Sequence, residues 1–266
     1  MAESGKAARL ASRAVVGVIG PDWRAFLQGL LTQDVETLQA GQLRFGALLT
    51  PQGKLLFDLF ILGRDEGCWL DVAADRQQAL IQRLTIYRLR AKVEIAAVVA
   101  DVWAVWKGGR GGLPDPRLDG LGRRAYGDPP GAGEIVDEAA YDAMRLGLGV
   151  PDPAKDAPDD YPIEANFDLL NGIDFQKGCF VGQETTSRMK RRGQIKSRML
   201  PLRFEGPAPP FGAEVLAGTL RAGEIRSAVD GRAMALLRLD RIETASLTVA
   251  GHPVTAEQPR YFAAHR

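Results

Sequence analysis

The chain has 266 residues, 45% of them hydrophobic, and 34 Lys and Arg against 33 Asp and Glu leave a formal charge of +1. That balance excludes a protein-wide field drawing in nucleic acid or an anionic membrane, and the length suits two or three modest domains with filled cores. No uncharged apolar run nears the roughly 20 residues of a membrane span, and residues 1–6 have no signal-peptide core, so a soluble protein is expected.

The first β-rich run is residues 15–19. Gly20-Pro21-Asp22 then makes a turn with Asp22 as the cap of a helix over 23–31, where Trp23, Phe26, Leu27, Leu30 and Leu31 recur at helical spacing. Residues 45–49 and 55–62 are apolar runs of strand length joined by Thr50-Pro51-Gln52-Gly53-Lys54, which predicts a β-hairpin. A strand at 68–72 and a capped helix over 75–89 complete a mixed α+β domain at residues 1–100.

A strand at 102–106 opens a second α+β domain, residues 101–195, which becomes rich in glycine and proline from 108 to 133. Lys107-Gly108-Gly109-Arg110-Gly111-Gly112 lacks the Gly-x-x-x-x-Gly-Lys-Ser/Thr pattern of a phosphate loop and reads as a flexible surface loop. Gly17-Val18-Ile19-Gly20 has no third glycine opening a helix, so no dinucleotide fold is expected. A helix begins at 141–146, and the connection at 151–162 is too polar for a core, leaving a linker or a segment that orders over a ligand. From residue 196, five short apolar runs at 199–204, 213–216, 219–225, 233–239 and 246–250 predict a small antiparallel barrel over 196–266.

Cys68 and Cys179 are the only cysteines and His252 and His265 the only histidines. Two distant cysteines outside any CxxC pair exclude a disulfide framework, and a reducing cytoplasm is the expected location. The chain cannot supply four Cys or His ligands to zinc, nor four thiolates to an iron–sulfur cluster, so no metal site of its own is expected. Any cluster would be handled transiently or with a partner.

The octapeptide Lys177-Gly178-Cys179-Phe180-Val181-Gly182-Gln183-Glu184 concentrates the chemistry. Gly178 and Gly182 permit positive φ or close approach around the thiol. Glu184 opens a polar run closed by Lys190-Arg191-Arg192 and Gly193, the charge order of a short helix. Cys179 then lies on a turn before a helix N-terminus and beside Lys177, two influences favouring a thiolate. The alternative is a small, buried, inert cysteine.

This octapeptide resembles the signature of the YgfZ family, folate-binding relatives of the glycine-cleavage T-protein with a mitochondrial branch serving iron–sulfur cluster maturation. Residues 26–35, the hairpin around Thr50–Lys54 and Pro162-Ile163-Glu164-Ala165 resemble further family segments. The resemblance implies three domains in a ring around a folate-binding opening: two mixed α/β sheet domains and a C-terminal barrel.

It also implies that Glu164 holds the pteridine edge of tetrahydrofolate or a derivative, a task suited to a carboxylate that accepts two parallel hydrogen bonds. A capping or solvated acid is the alternative. T-proteins carry an acidic pair after the hairpin where this chain has Phe57-Asp58, so Asp58 is either the remaining catalytic carboxylate or a polar residue on the outer face of a strand. Arg188 either pairs with Glu184 on one helix face or meets the glutamate tail of a folate. The basic run with Lys196 and Arg198 reads as a solvated face; direct nucleic-acid binding is not expected.

The function these features imply is a tetrahydrofolate-binding accessory factor for assembly or repair of iron–sulfur proteins, including the tRNA-modifying enzymes that use clusters. Cys179 is its functional thiol, and its partners are folate, iron–sulfur assembly proteins and client enzymes, with no membrane. The alternatives are a folate-dependent aminomethyltransferase using Glu164 and Asp58, and a docking module in which folate is vestigial.

Overall fold

The computed structural model describes residues 5–157, 159–193, 195–229, 231–242 and 246–265. Backbone contacts divide the chain into two units, one running up to Tyr141 and including Leu170–Gln183, the other comprising Asp142–Leu169 and everything from Glu184 onward.

The first unit holds two sheets, which together with their helices and the barrel of the second unit give the α+β class. Strand β1 (Lys6–Arg9) joins the sheet built later in the chain, whereas β2 (Arg13–Ile19), β3 (Leu43–Leu49), β4 (Leu55–Gly63), β5 (Gly67–Ala73) and β6 (Glu94–Val98) form an antiparallel sheet in the order β3-β4-β5-β2-β6. Successive side chains of a strand face opposite ways. Val16, Val18, Phe57, Leu59, Ile61, Leu70 and Val72 therefore share one core with Trp23 and Leu27 of helix α1 (Trp23–Gln28) and Leu80 and Leu84 of α2 (Gln77–Arg88). The alternate residues Val15, Asp58, Phe60 and Asp71 are buried as well, which is why β4 reads as one nearly continuous apolar run.

The second sheet runs β10-β1-β7-β9-β8, from β7 (Val102–Trp106), β8 (Leu113–Pro114), β9 (Arg123–Tyr126) and β10 (Glu134–Val136), with only the β1–β10 pair parallel. Lys107–Gly112 is mostly exposed, as expected of a surface loop, but the glycine- and proline-rich stretch beyond it is structured: β9 lies between β7 and β8, and Asp115, Arg117, Leu121 and Arg124 are buried. The strand was hidden because half its residues are arginines, which bury only when paired. Arg117 forks onto Asp115 at 3.0 and 2.8 Å and reaches Tyr141 Oη at 2.7 Å.

Two helix starts differ from expectation. α1 stops at Gln28, and Asp22 gives it no side-chain cap, because Asp22 Oδ2 accepts from Lys92 N at 2.7 Å. α2 is entered through a 3-10 turn at Ala74–Arg76, also without a side-chain cap.

Helix α3 (Glu138–Gly147) leads into the second unit, where α4 (Pro153–Asp156) is capped by Asp152. The 151–162 connection is thus not wholly solvated. Asp156 is fully buried, accepting from Arg145 at 3.0 Å, from Asp152 N at 2.7 Å and from Ser227 Oγ; paired charge made a core segment look polar. After α5 (Gln183–Arg192), β11 (Ser197–Phe204), β12 (Glu214–Ala217), β13 (Leu220–Val229), β14 (Arg232–Arg238), β15 (Leu247–Val249) and β16 (His252–Ala256) close an antiparallel barrel in the order β11-β14-β13-β12-β15-β16. Leu202, Val215, Ala222, Ile225, Leu237 and Val249 fill it. The sixth strand escaped notice because His252 and Pro253 begin it, yet its pairing with β11 is what removes the sheet edge.

The two sheets of the first unit meet at Asp71, which accepts from Arg13 Nε at 2.7 Å, Arg124 at 3.1 Å and Tyr126 Oη at 3.1 Å. Replacing Asp71 with alanine removes the buried carboxylate that Arg13 and Arg124 share and is predicted to cost about 3–5 kcal/mol, measured by urea denaturation.

Candidate functional site

The segment leading into the octapeptide is tied down residue by residue. Thr32 Oγ1 donates to Gly172 O at 2.7 Å, Gln33 Nε2 to Asn171 O at 2.7 Å, and Asp174 N to Thr32 O at 2.9 Å. Asp174 Oδ1 then accepts from Gln176 N and Lys177 N at 2.8 and 3.1 Å, an Asx-type turn. Lys177 Nζ donates to Gln28 O and Leu31 O, each at 2.6 Å. These carbonyls lie at and just beyond the C-terminus of α1, where acceptors lack helical partners and a cation is favoured.

On the far side of the thiol, Phe180 is buried with its ring 5.4 Å from Lys177 Nζ, and Val181 packs on the sheet–helix core. Gly182 has φ +81°, and a Cβ there would lie 2.7 Å from Thr50 O and 2.9 Å from Gly53 Cα. The octapeptide therefore sits directly on the β3–β4 hairpin turn. Between these anchors Gly178 and Cys179 are exposed. The buried-thiol alternative describes Cys68 instead, which has no exposure and whose thiol burial pushes well above the usual range. Gln183 opens α5, with Glu184 exposed in its first turn, and Gly193 follows its end at φ +64°.

Glu164 lies in the second unit on a turn whose neighbours Ile163 and Ala165 are fully buried. It is half-buried; Oε2 accepts from Tyr161 N at 3.3 Å, and its carbonyl accepts from Met199 N at 2.7 Å. Arg198 holds this turn to the barrel, forking onto Asp168 at 2.9 and 2.7 Å while donating to Ile163 O and Asn166 Oδ1. Arg198 is therefore no part of a solvated basic face. Its strand position next to Met199 was the available signal. Arg188, Lys190 and Arg191 are exposed on α5.

Asp58 is only 5% exposed and pairs with Arg13 at 2.8 Å. The outer-face alternative for Asp58 is thus corrected, because neither face of β4 meets solvent. Arg13, which sequence reasoning passed over, joins Asp58 to Asp71. Among the described residues no three His, Cys, Asp or Glu side chains gather as metal ligands, and no helix is long and apolar enough to cross a membrane.

The family model for the C-terminal beta-barrel domain of CAF17 matches residues 196–264. The mitochondrial iron-sulfur cluster assembly factor IBA57 of Homo sapiens is 31% identical over 277 residues, covering 88% of this chain and 78% of the human protein. The chain belongs to the YgfZ/CAF17/IBA57 family. The Neurospora crassa and Phaeosphaeria nodorum IBA57 homologues are 31% and 35% identical over 77% and 74% of this chain. The chain spans a little over half of their length, 56% and 55%. All three relatives are named mitochondrial, which overturns the expected cytoplasmic location. Unpaired cysteines indicate a reducing compartment and do not single out the cytoplasm. The glycine cleavage system aminomethyltransferase T of Bartonella henselae superposes with a TM-score of 0.79 over 97% of this chain and 86% of its own, at 17% identity, a likeness of fold alone.

Two predictions concern the octapeptide. Burial pulls the Lys177 ammonium from 10.5 down to about 8, against the opposing pull of Asp34, Asp174 and Glu36. The folded chain thus releases a proton that the unfolded chain keeps between those values, so stability should rise with pH through that window, and Lys177→Met should flatten the rise in urea titrations. Gly182→Ala should cost at least about 1–2 kcal/mol from its left-handed backbone alone and speed amide exchange across residues 174–182.

Proposed function

We propose that this chain is a tetrahydrofolate-binding accessory factor for the assembly or repair of iron–sulfur proteins, with Cys179 as the thiol that meets the cluster or its carrier. The observation that carries this reading is an exposed cysteine in a segment fixed on both sides, by Lys177 and by Phe180–Gly182. A thiol so held needs little reorganisation to meet a partner, which suits contact chemistry on a cluster that arrives as cargo. The names of the relatives, iron–sulfur cluster assembly factors, support the same reading.

Folate is assigned to Glu164 on the chemistry of its carboxylate. A carboxylate can accept two parallel hydrogen bonds, the pattern that the paired donors of a pteridine edge present. The turn is held rigid by Arg198, which preorganises the acceptor. Arg188, exposed on α5, is assigned to the glutamate tail. Partners in this reading are iron–sulfur assembly proteins and client enzymes, among them cluster-dependent tRNA-modifying enzymes.

Cys179→Ser and Glu164→Ala separate the two halves of the proposal. Cys179→Ser should abolish rescue of a cluster-dependent enzyme in cells lacking the native gene while leaving tetrahydrofolate affinity unchanged by calorimetry. Glu164→Ala should weaken that affinity by about tenfold to 100-fold, the cost of hydrogen bonds to a charged group. Full rescue by Cys179→Ser, or undiminished folate binding by Glu164→Ala, would refute the corresponding half.

A further inference from the structure

The β6 edge of the first sheet carries features that the site above does not use. β6 pairs with β2 on one side and ends the sheet on the other. Natural edge strands are blunted by proline, lysine or a bulge, yet residues 94–99 contain neither proline nor lysine, and the β2–β6 register runs without a shift. Glu94, Ala96 and Ala97 are exposed and Val99 entirely so.

Further apolar side chains gather at the start of this edge. Ile86 and Leu89, at and just past the last turn of α2, are 67% and 89% exposed, and Ile19, which pairs with Glu94, is 47% exposed. Leu89 is held at φ +45°, an unfavourable conformation for a leucine that contributes nothing to the core. Between residues 83 and 99 the chain carries Arg83, Arg88, Arg90 and Lys92, all exposed, against the carboxylates of Glu94 and of Asp22, which accepts from Lys92 N.

An open edge gives main-chain hydrogen bonds to an added strand, and the apolar and basic flank selects its side chains. We propose that β6 docks an extended acidic segment of a partner protein, which adds to the sheet beside it. A second copy of this chain fits less well, because its β6 would bring only Glu94 as an acid to the basic flank. Nucleic acid would leave the four aliphatic side chains uncovered. The proposal is independent of folate binding and of Cys179.

The test uses the full chain and a short fluorescein-labelled peptide alternating valine and glutamate, with a valine–lysine peptide as control. Anisotropy should show saturable binding of the acidic peptide only, weakened by added salt and by about tenfold or more in Arg88→Glu/Arg90→Glu, the effect of losing a few exposed ion pairs. Hydrogen exchange should slow at residues 94–98 when the acidic peptide is bound. Both arginines are exposed, so the double variant should keep the wild-type melting curve. Absence of saturable binding, equal binding of the basic peptide, or protection confined to other segments would overturn the proposal. So would a dimer in sedimentation that Ala96→Glu dissociates, since the edge would then belong to a second copy.

Discussion

Asp71 is a carboxylate with no solvent exposure, and the packing of the first unit turns on it. Removing a charge from water costs several kcal/mol, recovered only where geometry is good and every acceptor is used. Here two guanidiniums and a phenol converge on it from β2 and β9, and Asp58 balances the second cation. Phe60 lies among the same groups, with Arg124, Arg117 and Arg13 at 3.6, 4.7 and 5.7 Å from its ring centre, so the cations also gain the ring's negative face. The network fixes β4 and β5 against the second sheet. β4 in turn begins at the hairpin turn on which Gly182 rests, so the platform under the exposed thiol inherits its rigidity from a buried ion cluster.

Within the octapeptide the labour is divided. Lys177 completes the end of α1, Phe180 and Val181 bury apolar surface, and Gly182 supplies the only side chain small enough to lie on the turn. Cys179 is left exposed, with Gly178, between anchors that are not. In sequence Lys177 reads as an electrostatic aid to the thiol; in the structure its ammonium is directed at two main-chain carbonyls.

Much of this was legible in the sequence. The hairpin, α2, β7 and most of the barrel strands announce themselves through apolar periodicity and turn residues, and the octapeptide through its clustering of glycine, cysteine and cations. What escaped shares a physical cause: β9, α4 and the Arg198–Asp168 fork bury charge in pairs, and a single residue's polarity cannot reveal a partner that lies 11, 30 or 53 positions away. The pairing of β1 with β7 was missed for a related reason, since a four-residue strand has no pattern of its own and is specified by the sheet it joins.

The seat of Gly182 on the turn Thr50–Gly53 joins positions some 130 residues apart in the chain. Residues 170–183 dock on both the turn and α1, and Lys177 in return satisfies the carbonyls of Gln28 and Leu31. The frame around the thiol therefore exists only where both elements are formed. A chain whose first sheet is misassembled keeps its cysteine but not the frame around it, so the setting of this thiol reports on the folding of segments far apart in the sequence.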